Sequence, residues 1–162
     1  MRGRAYQPRF ERHVVLLSWA GGLAAIGTLG LISSWSHYLL VVAPFGASTV
    51  LLFGYPSSPL AQPRNIVLGN TVAAIVSVAC VAALGSSPFS MGLAVGLTIA
   101  LGQAMRCLHP PAGAVALLGV LLKAQPVFVL MPMLVGSLLL TLMAVLFSRL
   151  RRAADPYPHH WI

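Results

Sequence analysis

Apolar residues run along this chain in long blocks, interrupted by short junctions of serine, proline and aromatic residues. Four stretches carry no Lys, Arg, Asp or Glu: 13–63, 65–105, 107–122 and 124–148. One membrane-spanning helix needs roughly 20 apolar residues. The first two stretches are each long enough for two passes and the last for one, while 107–122 is marginal. The pattern divides into six apolar segments, at about 14–32, 37–54, 66–85, 89–103, 111–122 and 127–147. Their junctions are Ser33-Ser34-Trp35-Ser36, Tyr55-Pro56-Ser57-Ser58-Pro59, Ser86-Ser87-Pro88 and Ala124-Gln125-Pro126, all rich in helix breakers. Trp35, Tyr38 and Tyr55 fall near segment ends, where amphipathic rings favour the lipid–water boundary.

Composition turns this pattern into a fold class. Hydrophobic residues make up 58% of the chain, charged residues 7%, and the mean hydropathy is +0.88; a soluble domain carries about a quarter charged residues. The expectation is an all-α polytopic membrane bundle with the lipid bilayer as its surroundings and no separate soluble domain. Its organisation reads as a basic N-terminus at 1–13, one membrane domain at 14–148 (halves 14–85 and 86–148), and a basic tail at 149–162. The first segment lacks a convincing cleavage site and is followed by further spans, so it reads as a retained helix. Cys80 and Cys107 lie in apolar surroundings without a Cys-x-x-Cys pattern and read as packing residues.

The net charge of +8 records orientation rather than a nucleic-acid partner, because the arginines flank apolar spans. Arg2, Arg4, Arg9 and Arg12 crowd one end, and Arg149, Arg151 and Arg152 the other. An even number of crossings then keeps both termini cytoplasmic, in a bacterial inner membrane. With six crossings Arg64 and Arg106 also face inward, leaving only Lys123 outside. A four-crossing arrangement, with the second or fifth segment dipping in without crossing, stays open.

Two stretches share the pattern Pro-x-Gly-Ala. They are Ala43-Pro44-Phe45-Gly46-Ala47-Ser48-Thr49 and His109-Pro110-Pro111-Ala112-Gly113-Ala114-Val115, 67 positions apart, and at the same offset Gly69 matches Gly136. Three spans per half would make the second half inverted relative to the first, as in many transporters. Proline inside a span ends or kinks a helix and is well suited to begin one. A helix start at depth offers N–H groups and the positive end of the dipole to an anion. In lipid, irregular backbone survives only under protein cover or beside a wet cavity. Two ordinary kinks eased by small residues are the competing reading.

The other candidates are few. Glu11 and Asp155 are the only acidic residues and neither lies in a span. This disfavours a carboxylate-based cation pump and a Ser–His–Asp triad, so no enzyme, cofactor or metal is expected. Arg64 with Asn65, and Arg106, sit at cytoplasmic edges and suit either an anion-gathering vestibule or simple topology marking. His109 suits a cap, an anion donor or a structural role. Ser48, Thr49, Asn70 and Gln103 offer neutral polar groups in or beside the spans, and serine and threonine commonly bond back to their own helix. His159-His160 lacks further metal ligands.

The segment His109-Pro110-Pro111-Ala112-Gly113-Ala114-Val115-Ala116-Leu117 resembles the central motif of the HPP family of small integral membrane proteins. Ala43-Pro44-Phe45-Gly46-Ala47-Ser48 through Phe53-Gly54, and Ser58-Pro59-Leu60-Ala61-Gln62-Pro63-Arg64-Asn65, are similar to its earlier blocks, so the resemblance covers about 14–148. Members are described with four spans, against the six read here, and Asn70 stands where many relatives would have histidine. Plastid and cyanobacterial members are associated with nitrite transport. The resemblance therefore implies a path for a small monovalent anion, nitrite first. Pro44, Phe45, Gly46, Ala47, Ser48, Thr49, His109, Pro110, Pro111, Ala112, Gly113 and Ala114 would line it, with Arg64, Asn65 and Arg106 as vestibule. A scaffold or accessory subunit without a solute path is the alternative, and a homo-oligomer suits so small a chain.

Overall fold

The computed structural model describes residues 9–36, 38–151 and 156–161. Arg2, Arg4, His37, Arg152 and Asp155 lie outside the described residues. The fold is all-helical: α1 Arg12–Ser36, α2 Ala43–Thr49 extended by a wider turn Val50–Gly54, α3 Pro63–Leu84, α4 Pro88–Ala104, α5 Pro110–Leu121, and α6 Val135–Arg151 led in by Val129–Leu134. Proline opens α3, α4 and α5, where its missing N–H would have had no partner and its fixed φ already suits a helix. At α4 the cap is reciprocal. Ser87 Oγ accepts from the Ser90 N–H at 3.2 Å, and Ser90 Oγ accepts from the Ser87 N–H at 2.9 Å.

The ends of α4 and α5 share a closure. Cys107 N–H reaches Gly102 O and Ala124 N–H reaches Gly119 O, both at 2.8 Å. This turn needs a left-handed residue, which is usually glycine. Here the residues are Arg106 (φ 54°) and Lys123 (φ 50°), so each basic side chain stands at the negative end of a helix dipole.

Side-chain bonds fix which helix ends lie together. Arg64 at the start of α3 donates to the carbonyl of Met105 just after α4. The Tyr157 N–H donates to Ser148 near the end of α6, and its hydroxyl donates to Ala61 just before α3. Phe53 near the end of α2 packs edge-on against Phe147 of α6, centroids 5.5 Å apart, and both rings press on Gly21 of α1. One face of the bundle therefore collects the early part of α1, the ends of α2, α4 and α6, and the starts of α3 and α5. Successive helices from α1 to α6 thus alternate in direction.

Three of these helices, Arg12–Ser36, Pro63–Leu84 and Val129–Arg149, are long and apolar enough to cross a membrane. The second segment is shorter than the pattern suggested: residues 39–42 are not helical, and helix begins only at Ala43. Pro44 explains the shift, because it supplies no donor and leaves Val42 extended at φ −129°, ψ 149°. Ala43–Gly54 and Pro110–Leu121, 12 residues each, reach about 18 Å, well short of the roughly 30 Å hydrocarbon layer. The sixth segment is broken at Met131 (φ −123°, ψ 117°), and α6 continues to Arg151, past the expected boundary at 148.

α3 sits at the centre, packed on α4, α5, α6 and the lead-in to α6. α1 buries only Gly21, Ala25 and Leu29 and turns Leu16, Trp19, Leu23 and Leu31 outward, as a lipid-facing helix does. Two of the glycines required by close approach stand at the repeat offset. A Cβ on Gly69 would lie 2.8 Å from the carbonyl oxygen of Cys107 and 2.9 Å from His109 Cβ, and one on Gly136 would enter the Phe45 ring. Gly69→Ala should destabilise the protein by about 1–3 kcal/mol, the range for overpacking. Gly96→Ala, which meets nothing within 4 Å, should be neutral or stabilise by about 1 kcal/mol. Unfolding midpoints in detergent check both; equal midpoints for the two variants would contradict this packing.

Candidate functional site

Both Pro-x-Gly-Ala stretches begin helices out of extended backbone. His109 precedes α5 at φ −135°, ψ 113°, as Val42 precedes α2. At the third helical position the two starts behave alike: Phe45 N–H turns back to Val42 O and Ala112 N–H to His109 O, each at 2.9 Å. Pro110 and Pro111 carry no N–H at all. The expected row of bare amide donors is therefore largely absent at α5. What remains there for an anion is the positive end of the dipole.

The two starts are joined in the interior. Ser48 Oγ lies 2.8 Å from His109 Nε2, and His109 Nδ1 lies 2.9 Å from the carbonyl oxygen of Leu60. Ser48 is fully buried and His109 is 2% exposed. A carbonyl only accepts, so Nδ1 carries the proton. In the neutral ring Nε2 then accepts, and Ser48 must donate to it. Pro44 O, 3.2 Å from Ser48 Oγ, is a second acceptor for the same hydroxyl. His109 thus does not cap α5 with its side chain; it ties α5 to α2 and to the turn before α3.

The remaining candidates divide by position. Pro44, Phe45, Pro111 and Ala112 are buried in packing, whereas Gly46, Ala47, Pro110 and Ala114 are exposed and Gly113 is half-buried. An added Cβ at Gly46 or Gly113 would meet nothing within 4 Å. Gly113 opens instead on a cavity of about 420 Å³ beside the start of α5, lined also by Gly69, Thr98, Gly102, Cys107 and His109. Thr98 Oγ1, Thr49 Oγ1 and Asn70 Oδ1 are buried without a partner.

The vestibule residues do gather around one loop, 105–109. Arg64 Nη2 donates to Met105 O at 2.9 Å and Asn65 Nδ2 to Leu108 O at 2.8 Å, while Arg106 is exposed in its left-handed turn. Burial pushes the Cys107 thiol up, and the charge of Arg64 pulls it the other way. Gln103 is exposed at the end of α4.

Sequence reasoning singled out Asn70 as a neutral polar group but missed its partner. Asn70 Nδ2 donates to Ser137 Oγ at 3.1 Å, both residues are fully buried, and they stand 67 positions apart. Either orientation of the amide pairs one end with Ser137 and leaves the other bare. The repeat offset that matched Gly69 to Gly136 was the signal available for finding them.

The architecture defines a polytopic helical membrane protein in which two short helices begin out of extended backbone at proline. A family model described as "HPP, transmembrane region" matches residues 7–158, and the chain belongs to that family. It is also 35% identical to two transmembrane proteins of Dictyostelium discoideum, over 89% of its own length and 54% and 50% of theirs. The chain therefore spans about half the length of the curated relatives it matches. No solved structure matches it.

Ser48→Ala leaves His109 Nε2 buried without a donor and should cost about 1–3 kcal/mol, measured as a lower unfolding midpoint. Arg106→Gly relieves a left-handed backbone at a helix end, worth about 1 kcal/mol, and should raise the midpoint. A drop for Arg106→Gly would show that its side chain holds the loop.

Proposed function

We propose that this protein is a transporter or channel for a small monovalent anion, with nitrite the first candidate. The observation that carries the reading is the Ser48–His109 bond, which joins the two interrupted helices in the interior. A polar joint between two broken helices is costly in lipid, and membrane proteins place such irregular backbone where a solute passes. Arg64 and Arg106 gather anions at the 105–109 loop, the cavity beside α5 receives them, and the dipole of α5 favours negative charge there. No acidic residue stands in a helix interior to couple a cation, so facilitated passage fits better than pumping, and the protein is not an enzyme.

We further infer two inverted three-helix repeats. Ala43–Gly54 and Pro110–Leu121 are related by the 67-residue offset at both ends, and Asn70 touches its own counterpart Ser137. Under a two-fold relation, only residues on the axis meet their equivalents. The arginines that flank the apolar spans support a reading with both ends in the cytoplasm, and a homo-oligomer is compatible with the extensive apolar surface of α1.

The burial of Ser48 and His109 favours one competing reading, a scaffold or accessory subunit in which the joint is only structural. Nitrite flux into liposomes containing the purified protein separates the two. Wild type should carry nitrite faster than empty vesicles. Gly113→Leu, whose Cβ would meet nothing within 4 Å and whose side chain adds bulk at the cavity wall, should return flux to near background while the unfolding midpoint holds. Wild-type flux equal to empty vesicles, or undiminished flux in Gly113→Leu, rejects the conduit.

A further inference from the structure

The segment 156–161 was expected to be part of a basic tail; it is instead bonded into the protein. Tyr157 is 5% exposed. Its N–H donates to Ser148 Oγ at 2.7 Å and its hydroxyl to Ala61 O at 2.9 Å. The His159 N–H donates to Gln62 Oε1 at 3.0 Å. Gln62 is fully buried and its Nε2 donates to Pro56 O and Ser58 O, at 3.1 and 2.8 Å. Of these bonds, Tyr157 to Ala61 lands within Pro59–Ala61, a single 3₁₀ turn, the Gln62 bonds lie on its two flanks, and Ser148 anchors the segment to α6.

That turn also holds the interior site. Leu60 O accepts from His109 Nδ1, and the next carbonyl along, Ala61 O, accepts from Tyr157. A short turn has few bonds of its own to set its carbonyls: Ala61 N–H to Ser58 O at 3.0 Å, and Leu60 N–H to Ser58 Oγ at 3.3 Å. The peptide units that carry these two carbonyls are each planar and meet at the Ala61 Cα, so while the 3₁₀ turn holds that residue's φ and ψ, a bond that fixes one carbonyl constrains its neighbour.

We infer that residues 156–161 form a strap that sets the His109 ring through the Leu60–Ala61 turn, with Tyr157 as its principal positioning residue. The strap clamps the turn at two points, Ala61 O and the Gln62 side chain. Burial raises the Tyr157 phenol above its ordinary range, so it keeps the proton it donates. Release of the strap frees Leu60 O to turn away from Nδ1, and His109 then loses the tautomer that accepts from Ser48. The helix-to-helix joint thus answers to the segment that follows α6. Any consequence for anion passage rests on the conduit reading above; the positioning itself does not.

The test uses the full chain, 15N-labelled at histidine, in lipid nanodiscs. The His109 Nδ1–H should be visible and slow to exchange with water in the wild type, and the Tyr157 hydroxyl proton should be protected as well. Tyr157→Phe keeps the ring and removes the bond to Ala61. It should speed exchange of the His109 N–H about five-fold, the factor one net hydrogen bond is worth, and shift the Nε2 resonance. Gln62→Leu should act in the same direction, and Trp161→Ala, beyond the clamp, should change nothing. A fast-exchanging Tyr157 hydroxyl in the wild type overturns the strap without any variant. So does an unaltered His109 signal in Tyr157→Phe and Gln62→Leu, or an equal effect from Trp161→Ala. Nitrite flux measured on the same samples distinguishes the failures. An exchange effect without wild-type flux removes the conduit and leaves the strap standing.

Discussion

The polar interior of this structure is organised around one imidazole ring. His109 is held between a serine of one interrupted helix and a backbone carbonyl of the turn before α3. Its two nitrogens are spent on two parts of the chain 61 and 49 positions away. Buried polar groups in a low-dielectric interior are costly unless paired, and this ring is fully paired. The arrangement is also demanding: one carbonyl dictates the tautomer, and the tautomer dictates which way the Ser48 hydroxyl must point. The joint is therefore specific in direction as well as in partners.

The surroundings explain how such a ring can sit among apolar helices. Prolines at positions 44, 110 and 111 start helices where extended backbone would otherwise need partners, and the N–H of the third helical residue at each start is turned back on the residue before the helix. Glycine at 69 lets the loop before α5 lie directly on α3, and glycine at 136 makes room for Phe45. Arg64 and Asn65 then fasten that loop to the start of α3 through two carbonyls. Residues that looked like an anion vestibule thus also do structural work. The two roles are compatible, because Arg64 spends one terminal nitrogen on Met105 and keeps its charge.

Much of the fold was legible in the sequence, and the exceptions have physical causes. Six apolar segments, the three proline-bearing junctions and the special status of the two Pro-x-Gly-Ala stretches follow from hydropathy and from proline's missing donor, whereas Ser33-Ser34-Trp35-Ser36, expected as a junction, is the last turn of α1. The length of the second helix did not, because an apolar run such as 38–42 reads the same whether helical or extended. The anion-greeting amides were overestimated, since a double proline that starts a helix also deletes its first two donors. The glycines were misassigned in part. Gly46 and Gly113 face open space, while the close contacts fall on Gly69 and Gly136, which stood out only through the repeat offset. The bond between Ser48 and His109 was beyond reach, because no periodicity relates a residue inside one helix to the residue before another. The docking of Tyr157 was equally hidden, as nothing in a short polar tail announces a buried phenol.

The central claim is that a small anion reaches the cavity beside the start of α5, next to the His109 joint. The most direct measurement is the reactivity of Gly113→Cys in liposomes toward a small thiol reagent, with Cys107, which lines the same cavity, replaced by alanine and with the buried Cys80 as internal reference. The account predicts modification at position 113 that slows as nitrite is added and is indifferent to sulfate. A thiol at 113 that never reacts, or that reacts at the same rate with and without nitrite, would contradict it.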